Sequence, residues 1–543
     1  MYSSPHTDAS GAYAVTTVFG VISIHNMPIL DAIHRRGAIR FVPARGEAGA
    51  VSMADACARA SGQLGVAVTS TGTAAGNAAG AMVEALTAGT PLLHLTGQID
   101  SPYLDRDLGY LHEARDQLGM LQAISKAAFR IYSPEQVGEV LPQAVRLAFT
   151  PPAGPVSIEI PIDIQQSRFD ADLSPLEIQM PIPSEESLDA LAERLSHARR
   201  PLLWLGGGAR HAGDAVRRLV EMGFGVVSSV QGRGILPEDH PMSLGAFNVS
   251  PAVEAFYATC DALVVVGSRL RSNETLGYKL KLPKLLYRVD AEERRADHPY
   301  RPHLFIHGDS REVLAQLAQR ISFKVDPRFS EDLQKAKGDA VAQARAALGP
   351  YEALVDALQR LAGRDFTWVR DVTVSNSTWG NRLLPLYGPR DGVHALGGGI
   401  GMGLPMAIGA ALGSKKNVLC LAGDGGLALN LGELGTLMQE KVDVKIVLMN
   451  DRGYGVIRNI QDAQYGGRRA YVDLVTPDFE QLADAYGLPF FKVKEKNGFQ
   501  SSLENAMGVK GPALVEVDMN AIGPYASAFA GPPVRKDEAV TEK

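Results

Sequence analysis

The chain has 543 residues, too many for one hydrophobic core, and an ordinary globular composition of 45% hydrophobic and 21% charged residues. Its net charge of −6 leaves no basic excess to draw nucleic acid or an anionic membrane. Cys57, Cys260 and Cys420 are isolated and lack zinc or disulfide spacing, so a reducing cytoplasm is expected. The start (MYSSPHTDASGAY) is polar, and no apolar run reaches the roughly 18 residues of a membrane span, so neither a secretory signal nor an anchor is expected.

Three blocks of alternating strands and helices follow, which predicts an α/β protein of three doubly wound parallel-sheet domains. The first block, residues 1–170, carries the apolar runs Leu64 to Val68, Pro91 to Leu95 and Val156 to Ile160, with a small-residue helix over Gly76 to Ala88. A polar, Pro-bearing stretch from Asp170 to Glu186 reads as a linker. The second block, residues 187–325, opens with a strand and the turn Gly206-Gly207-Gly208. That turn misses the G-x-G-x-x-G spacing; it reads as a tight βα turn, and a nucleotide phosphate is the other reading. Strands are predicted from Gly225 to Val230, Ala262 to Val266 and Leu285 to Asp290. The charged segment from Val325 to Leu348 reads as a solvated helix or connector. The third block spans residues 351–531, and the tail from Pro532 to Lys543 is expected to be disordered. No repeat of short period is evident.

The densest chemistry lies in the third block. A buried strand, Asn417 to Ala422, runs into Gly423-Asp424-Gly425-Gly426, then an amphipathic helix from about Leu427 to Glu440. A second apolar strand follows, Val444 to Met449, ending at Asn450. Ligands of open parallel sheets bind at the carboxyl ends of the strands, so Asp424 and Asn450 are offered together beside a helix N-terminus that favours phosphate. A carboxylate, an amide oxygen and nearby carbonyls suit a hard cation such as Mg²⁺.

This arrangement resembles the motif of thiamine diphosphate (ThDP) enzymes: GDG, then, one helix and one strand later, an asparagine. The resemblance extends over nearly the whole chain, in the order of the acetolactate synthase and benzoylformate decarboxylase group. It implies Mg²⁺ ligands at Asp424, Asn450 and the carbonyl of Arg452, with Gly425, Gly426 and Gly453 against the cofactor. Arg45-Gly46-Glu47, after the predicted strand Ile39 to Pro43, resembles the family's Arg-His-Glu segment. Its Glu faces the aminopyrimidine and relays general acid/base work through the cofactor, a role that falls to Glu47. The usual histidine is Gly46 here.

Thr69 to Asn77 resembles the cofactor loop TSGPGxxN, which implicates Asn77, and Gln98 matches a recurrent active-site glutamine. Gly398 and Ile400 match the residues that hold the 4′-amino group and wedge the two cofactor rings into a V shape. Ser377 and Thr378, after the predicted strand Trp368 to Val374, are candidate diphosphate donors. His112 and His394 are the substrate-side candidates, and His25 lies in an early loop that lines the same cavity in relatives. For each, a hydrogen-bonded structural histidine is the alternative.

Three departures argue against an authentic acetolactate synthase. Ile162 replaces a lysine, Asn273 an arginine and Ile460 the acceptor-selecting tryptophan. The activity expected is that of a ThDP- and Mg²⁺-dependent 2-oxo acid decarboxylase/carboligase. The alternative is a ThDP lyase acting on a 2-hydroxyketone or a 2-hydroxyacyl-CoA, with Arg269 and Arg271 as phosphate partners. FAD or ADP in the central domain stays undecided. A homodimer or homotetramer is implied, because relatives build the site between two chains.

Overall fold

Parallel strands need crossover connections, and the helices between the apolar runs supply them. A computed structural model of the protein describes residues 15–168 and 178–535. The first sheet contains β1 (Thr17–Gly20), β2 (Arg40–Pro43), β3 (Gly65–Thr69), β4 (Leu92–Gln98), β5 (Ala127–Arg130) and β6 (Pro155–Pro161), in the order β2-β1-β3-β4-β6-β5. The second contains β7 (Pro201–Leu205), β8 (Gly225–Ser228), β9 (Ala262–Val266), β10 (Leu285–Asp290) and β11 (Leu304–His307), in the order β11-β10-β9-β7-β8. The third contains β12 (Phe366–Arg370), β13 (Gly392–His394), β14 (Asn417–Gly423), β15 (Val444–Asn450), β16 (Phe490–Val493) and β17 (Ala513–Asp518), in the order β13-β12-β14-β15-β17-β16. All the strand pairings within these sheets are parallel.

The first and third sheets have the same strand order, each counted from its own first strand. The chain therefore contains the same unit twice. The helix after the second strand of each unit, Glu47–Ser61 in one and Gly403–Ser414 in the other, packs directly on its counterpart. A Cβ on Gly409 would lie 2.0 Å from the Met53 carbonyl oxygen, and one on Gly413 would lie 2.5 Å from that of Cys57. Only glycine permits backbones this close. Around the crossing, Val42, Met53 and Met82 of the first unit share one apolar cluster with Leu404, Ile408 and Ile446 of the third.

Several elements depart from expectation. The helix predicted over Gly76 to Ala88 is two, Thr73–Asn77 and Ala79–Ala88. The helix predicted over Leu427 to Glu440 is also two, Asp424–Leu429 and Glu433–Glu440. At the second break the Asn430 side chain donates to the Gly401 carbonyl at 2.7 Å, the competition with helix that asparagine offers. The strand predicted to reach Val374 stops at Arg370, because the Asp371 carboxylate takes the Val372 N–H at 2.7 Å and turns the chain.

The charged connector is an amphipathic helix, Phe329–Ala346, that buries Phe329, Leu333, Ala336 and Ala340 rather than standing in solvent. Pro532 to Arg535 of the expected tail is not loose. The Arg535 backbone donates to Leu276, and its guanidinium donates to the Lys279 carbonyl and pairs with Glu254. Residues 1–14, 170–177 of the expected linker and 536–543 of the expected tail lie outside the described residues. Among the described residues, no helix is long and apolar enough to cross a membrane. Burial raises the pKa of all three cysteine thiols, which suits packing rather than reactivity.

Candidate active site

Most of the candidate residues stand at or just beyond the carboxyl ends of strands in the first and third sheets, the edge at which open parallel sheets bind ligands. In the third sheet, β14 ends at Gly423 and β15 at Asn450. The Asp424 carboxylate accepts the Gly453 N–H at 2.9 Å and the Asp451 N–H at 3.3 Å, so the 451–453 turn wraps around it. Asn450 donates its amide N–H to Glu516 at 2.8 Å, which fixes its oxygen; that oxygen accepts the Arg452 N–H at 3.1 Å. Arg452 has φ +55°, and its carbonyl accepts the Leu474 N–H at 3.2 Å.

These donors are all oxygens. Asp424 is buried and Asp451 partly buried beside it. Burial raises both pKa values, and repulsion from Asp424 helps push Asp451 to about 7. A carboxylate pair that strains to share a proton is a place where a hard cation would be favoured. The donor set fits Mg²⁺.

Beside it, Asp371 organises the glycine loop. Its carboxylate accepts the Gly401 N–H at 3.0 Å and the Val372 N–H at 2.7 Å. A Cβ on Gly426 would lie 2.8 Å from the same carboxylate, so Gly426 is required by packing. A Cβ on Gly425 would likewise strike the Tyr454 ring at 2.9 Å. Gly398 has φ +85°, and Ile400 is 39% exposed, unusual for a large apolar side chain. Asp371 was not among the sequence candidates. Its one signal is the one that revealed Asp424, an acid directly after a buried strand.

Ser377 and Thr378 lie in the π-helical turn Asn376–Gly380. The Thr378 hydroxyl is already spent on the Val374 carbonyl at 2.9 Å. His394 ends β13. Its Nδ1 lies 3.0 Å from the Arg370 carbonyl and its Nε2 3.4 Å from the Asn376 amide. Burial, aided by Arg370, lowers its pKa to about 3.

In the first sheet, Glu47 opens its helix, where a carboxylate suits the positive end of the dipole. Asn77 donates to it at 3.2 Å, and Asn77 is exposed. Gln98 is buried with both ends of its amide engaged. The oxygen accepts from Ile99 at 2.8 Å and Thr71 at 3.0 Å, and the nitrogen donates to Glu159 at 3.3 Å. Gln117 doubles this brace, accepting the Gly72 N–H at 2.7 Å and donating to Glu159 at 2.9 Å. His25 and His112 face each other with ring centroids 5.2 Å apart. His25 is buried, and its Nδ1 has no hydrogen-bond partner among the described residues. Burial, then His112, lowers its pKa, against the pull of Asp100.

Comparison with known proteins agrees with this geometry. The thiamine pyrophosphate enzyme N-terminal TPP binding domain matches residues 9–120, the central domain residues 188–317 and the C-terminal TPP binding domain residues 373–517. A probable 2-ketoarginine decarboxylase of Pseudomonas aeruginosa is 34% identical over 93% of this chain and 91% of its own. The chain belongs to the thiamine pyrophosphate enzymes. The acetolactate synthase isozyme 1 large subunit of Escherichia coli is 30% identical over 93% of this chain and 92% of its own. The acetolactate synthase large subunit of Porphyra purpurea is 28% identical over 94% and 90%.

This thiamine pyrophosphate enzyme also has a cavity of about 650 Å³ where its central domain meets the other two. Arg59, Arg210, Arg271 and Arg390 line it, together with the Gly207-Gly208 turn. The turn's glycines have a structural reason as well, since a Cβ on Gly206 would lie 2.2 Å from the Gly267 carbonyl oxygen. Burial lowers the pKa of Arg210, and neighbouring Arg59 and Arg390 add to the effect.

Burial is the largest influence on Asp371 and lifts its pKa from 3.8 to about 6. A raised carboxyl pKa gives stability that is full below the unfolded value and is lost as pH rises through the folded one. Relative to Asp371→Asn, the wild-type protein should therefore lose roughly 3 kcal/mol between pH 4 and pH 7. Urea denaturation of both proteins across that range checks it; parallel pH profiles would refute it.

Proposed function

We propose that this protein decarboxylates a 2-oxo acid and releases an aldehyde or passes the remaining acyl carbon to a second carbonyl. The observation that carries the reading is the pairing of an Asn77-braced Glu47 with the Asp424/Asn450 oxygen set, each at the carboxyl edge of one of the two matching sheets. Bound ThDP supplies an electron sink that lets a carbon–carbon bond beside a carbonyl break. Asp424, Asn450 and the Arg452 carbonyl would hold Mg²⁺, and Ser377 and Gly453 would bind the diphosphate. Glu47 moves a proton at the ring nitrogen of the aminopyrimidine. Ile400 and the Gly398 carbonyl would position the two cofactor rings. His25 and His112 border the substrate.

The test is a proton NMR product survey with ThDP, Mg²⁺ and pyruvate, benzoylformate or 5-guanidino-2-oxopentanoate, the last prompted by the Pseudomonas relative. Aldehyde or 2-hydroxyketone should form from at least one; no consumption of any 2-oxo acid would overturn the reading. Glu47→Gln should keep ThDP but lose turnover by about a hundredfold or more. Asp424→Ala should lose Mg²⁺-dependent retention of ThDP, read by thiochrome fluorescence after gel filtration. Unchanged turnover in the first or retention in the second would refute the assigned role.

Exposed Ile400, Leu429 and Ile457, together with an exposed Asn77, support a site completed by a second copy of the chain. Sedimentation should show a dimer or tetramer, and a cofactor-loaded, active monomer would rule that out. The arginine-lined cavity supports binding of a nucleotide diphosphate. It also keeps the lyase reading in view, since coenzyme A carries the same phosphates. Calorimetric titration with ADP, FAD and coenzyme A should give micromolar or tighter binding for one of them; no heat from any would exclude the site.

A further inference from the structure

Two buried carboxylates outside the site described so far reach across the interface between the matching domains, in opposite directions. Glu84, on the Ala79–Ala88 helix of the first domain, is 3% exposed. Its two oxygens accept the N–H groups of Leu396 at 2.6 Å and Gly397 at 2.7 Å, directly before Gly398 and Ile400. Arg59 donates to Glu84 at 3.2 Å and to the His394 carbonyl at 2.7 Å, so carboxylate and guanidinium grip the same strand end. Glu433, on the Glu433–Glu440 helix of the third domain, is 2% exposed. Its two oxygens accept the Arg45 N–H at 3.1 and 3.3 Å, two residues before Glu47. Thr436 steadies it at 2.7 Å. Glu84 and Glu433 sit on corresponding elements, each on a helix that follows the third strand of its sheet.

Asp371 and Asn430 anchor the far end of one loop at Gly401, but the stretch before it is mostly glycine. Gly397-Gly398-Gly399 runs through φ +85° at Gly398, and Gly401 is at φ +82°. Such glycines have many conformations to lose. Gly46 is the N-cap of the Glu47 helix and brings no side chain to cap it. Glu433 instead fixes the chain just ahead of that helix, at the Arg45 N–H, from the other domain. Burying a carboxylate is costly, and an apolar pair would often be as stable. The two are therefore better explained by the fixed placement of the backbone they bind, through charge-assisted hydrogen bonds, than by stability.

We propose that Glu84 and Glu433 are positioning residues for the reaction, each fixing from the opposite domain the loop that presents a cofactor-facing group. The inference rests on the ThDP reading above. Glu84→Gln keeps the shape but replaces one acceptor with a donor facing an N–H group. In the cofactor-free variant, amide hydrogen exchange over residues 395–402 should speed up at least tenfold while β14 stays protected. In the ThDP- and Mg²⁺-loaded variant, deuterium exchange at the C2 position of the cofactor, followed by NMR, should slow at least tenfold. Glu84→Asp should recover part of both. Glu433→Gln should loosen residues 44–48 instead.

Unchanged loop exchange in both Gln variants, or loss of protection throughout both domains with a fallen thermal midpoint, would overturn the proposal. Glu47→Gln serves as the control. If it leaves C2 exchange untouched, the cofactor reading fails. If it slows C2 exchange while Glu84→Gln does not, the positioning role alone fails.

Discussion

The contact on which the rest of the site depends is the crossing of the Glu47–Ser61 and Gly403–Ser414 helices. With Gly409 on the Met53 carbonyl and Gly413 on the Cys57 carbonyl, no side chain separates the two backbones there. A spacing set by backbone contact cannot drift as one set by flexible side chains can. Both helices start at functional loops, one at Glu47 and the other just after Ile400. The crossing therefore sets where those two loops stand in one chain, and the surrounding alanines and methionines fill the space that remains.

On that frame, acids are placed where backbone N–H groups emerge from strand ends. Asp371 takes those of Val372 and Gly401 and Asp424 those of Asp451 and Gly453, while Glu159, within β6, gathers the side-chain amides of Gln98 and Gln117. In each case the desolvation cost is offset by donors fixed in the fold rather than by solvent. Glycine-rich loops that would otherwise sample many conformations are thereby held in one. The cost falls on stability at neutral pH, visible in the raised pKa of Asp371 and of the Asp424/Asp451 pair.

How much of this the sequence reveals depends on distance along the chain. That Asp424 and Asn450 stand together is legible because strand, glycine turn, helix and strand lie in one short stretch and the sheet-edge rule does the rest, whereas Arg452 comes only from the family resemblance. The three parallel sheets follow equally from apolar runs alternating with helices. The two-fold use of one strand order is not legible, because topology repeats here without a repeated residue pattern. Glu84 and Glu433 are invisible for another reason: their partners lie 312 and 388 positions away. For Gln98, Thr378 and His394 the sequence supplies residue type and place, but not that their hydrogen-bonding groups are already engaged within the fold. Asn430 broke a helix that periodicity alone extends, since hydropathy carries no record of a side chain bonding to Gly401.

The rim around His112 gathers several acids. The loop bearing His112 passes through left-handed conformations at Asp105, Asp107, Gly109 and His112. Arg130 holds it, donating to Asp105 at 2.6 Å and pairing with buried Glu159, while Tyr110 donates to Asp100 at 2.6 Å. The cation of Arg130 is thus spent on two acids. Where acetolactate synthases carry lysine, Ile162 stands next to Asp163, whose carboxylate accepts the Ser101 N–H at 3.0 Å. A second 2-oxo acid arriving as acceptor would bring another carboxylate to a rim already holding Asp100, Glu113 and Asp163. Like charges at short range in a partly desolvated site oppose that approach. Under the proposed function, a proton or a neutral aldehyde as acceptor would bring no further negative charge to this rim.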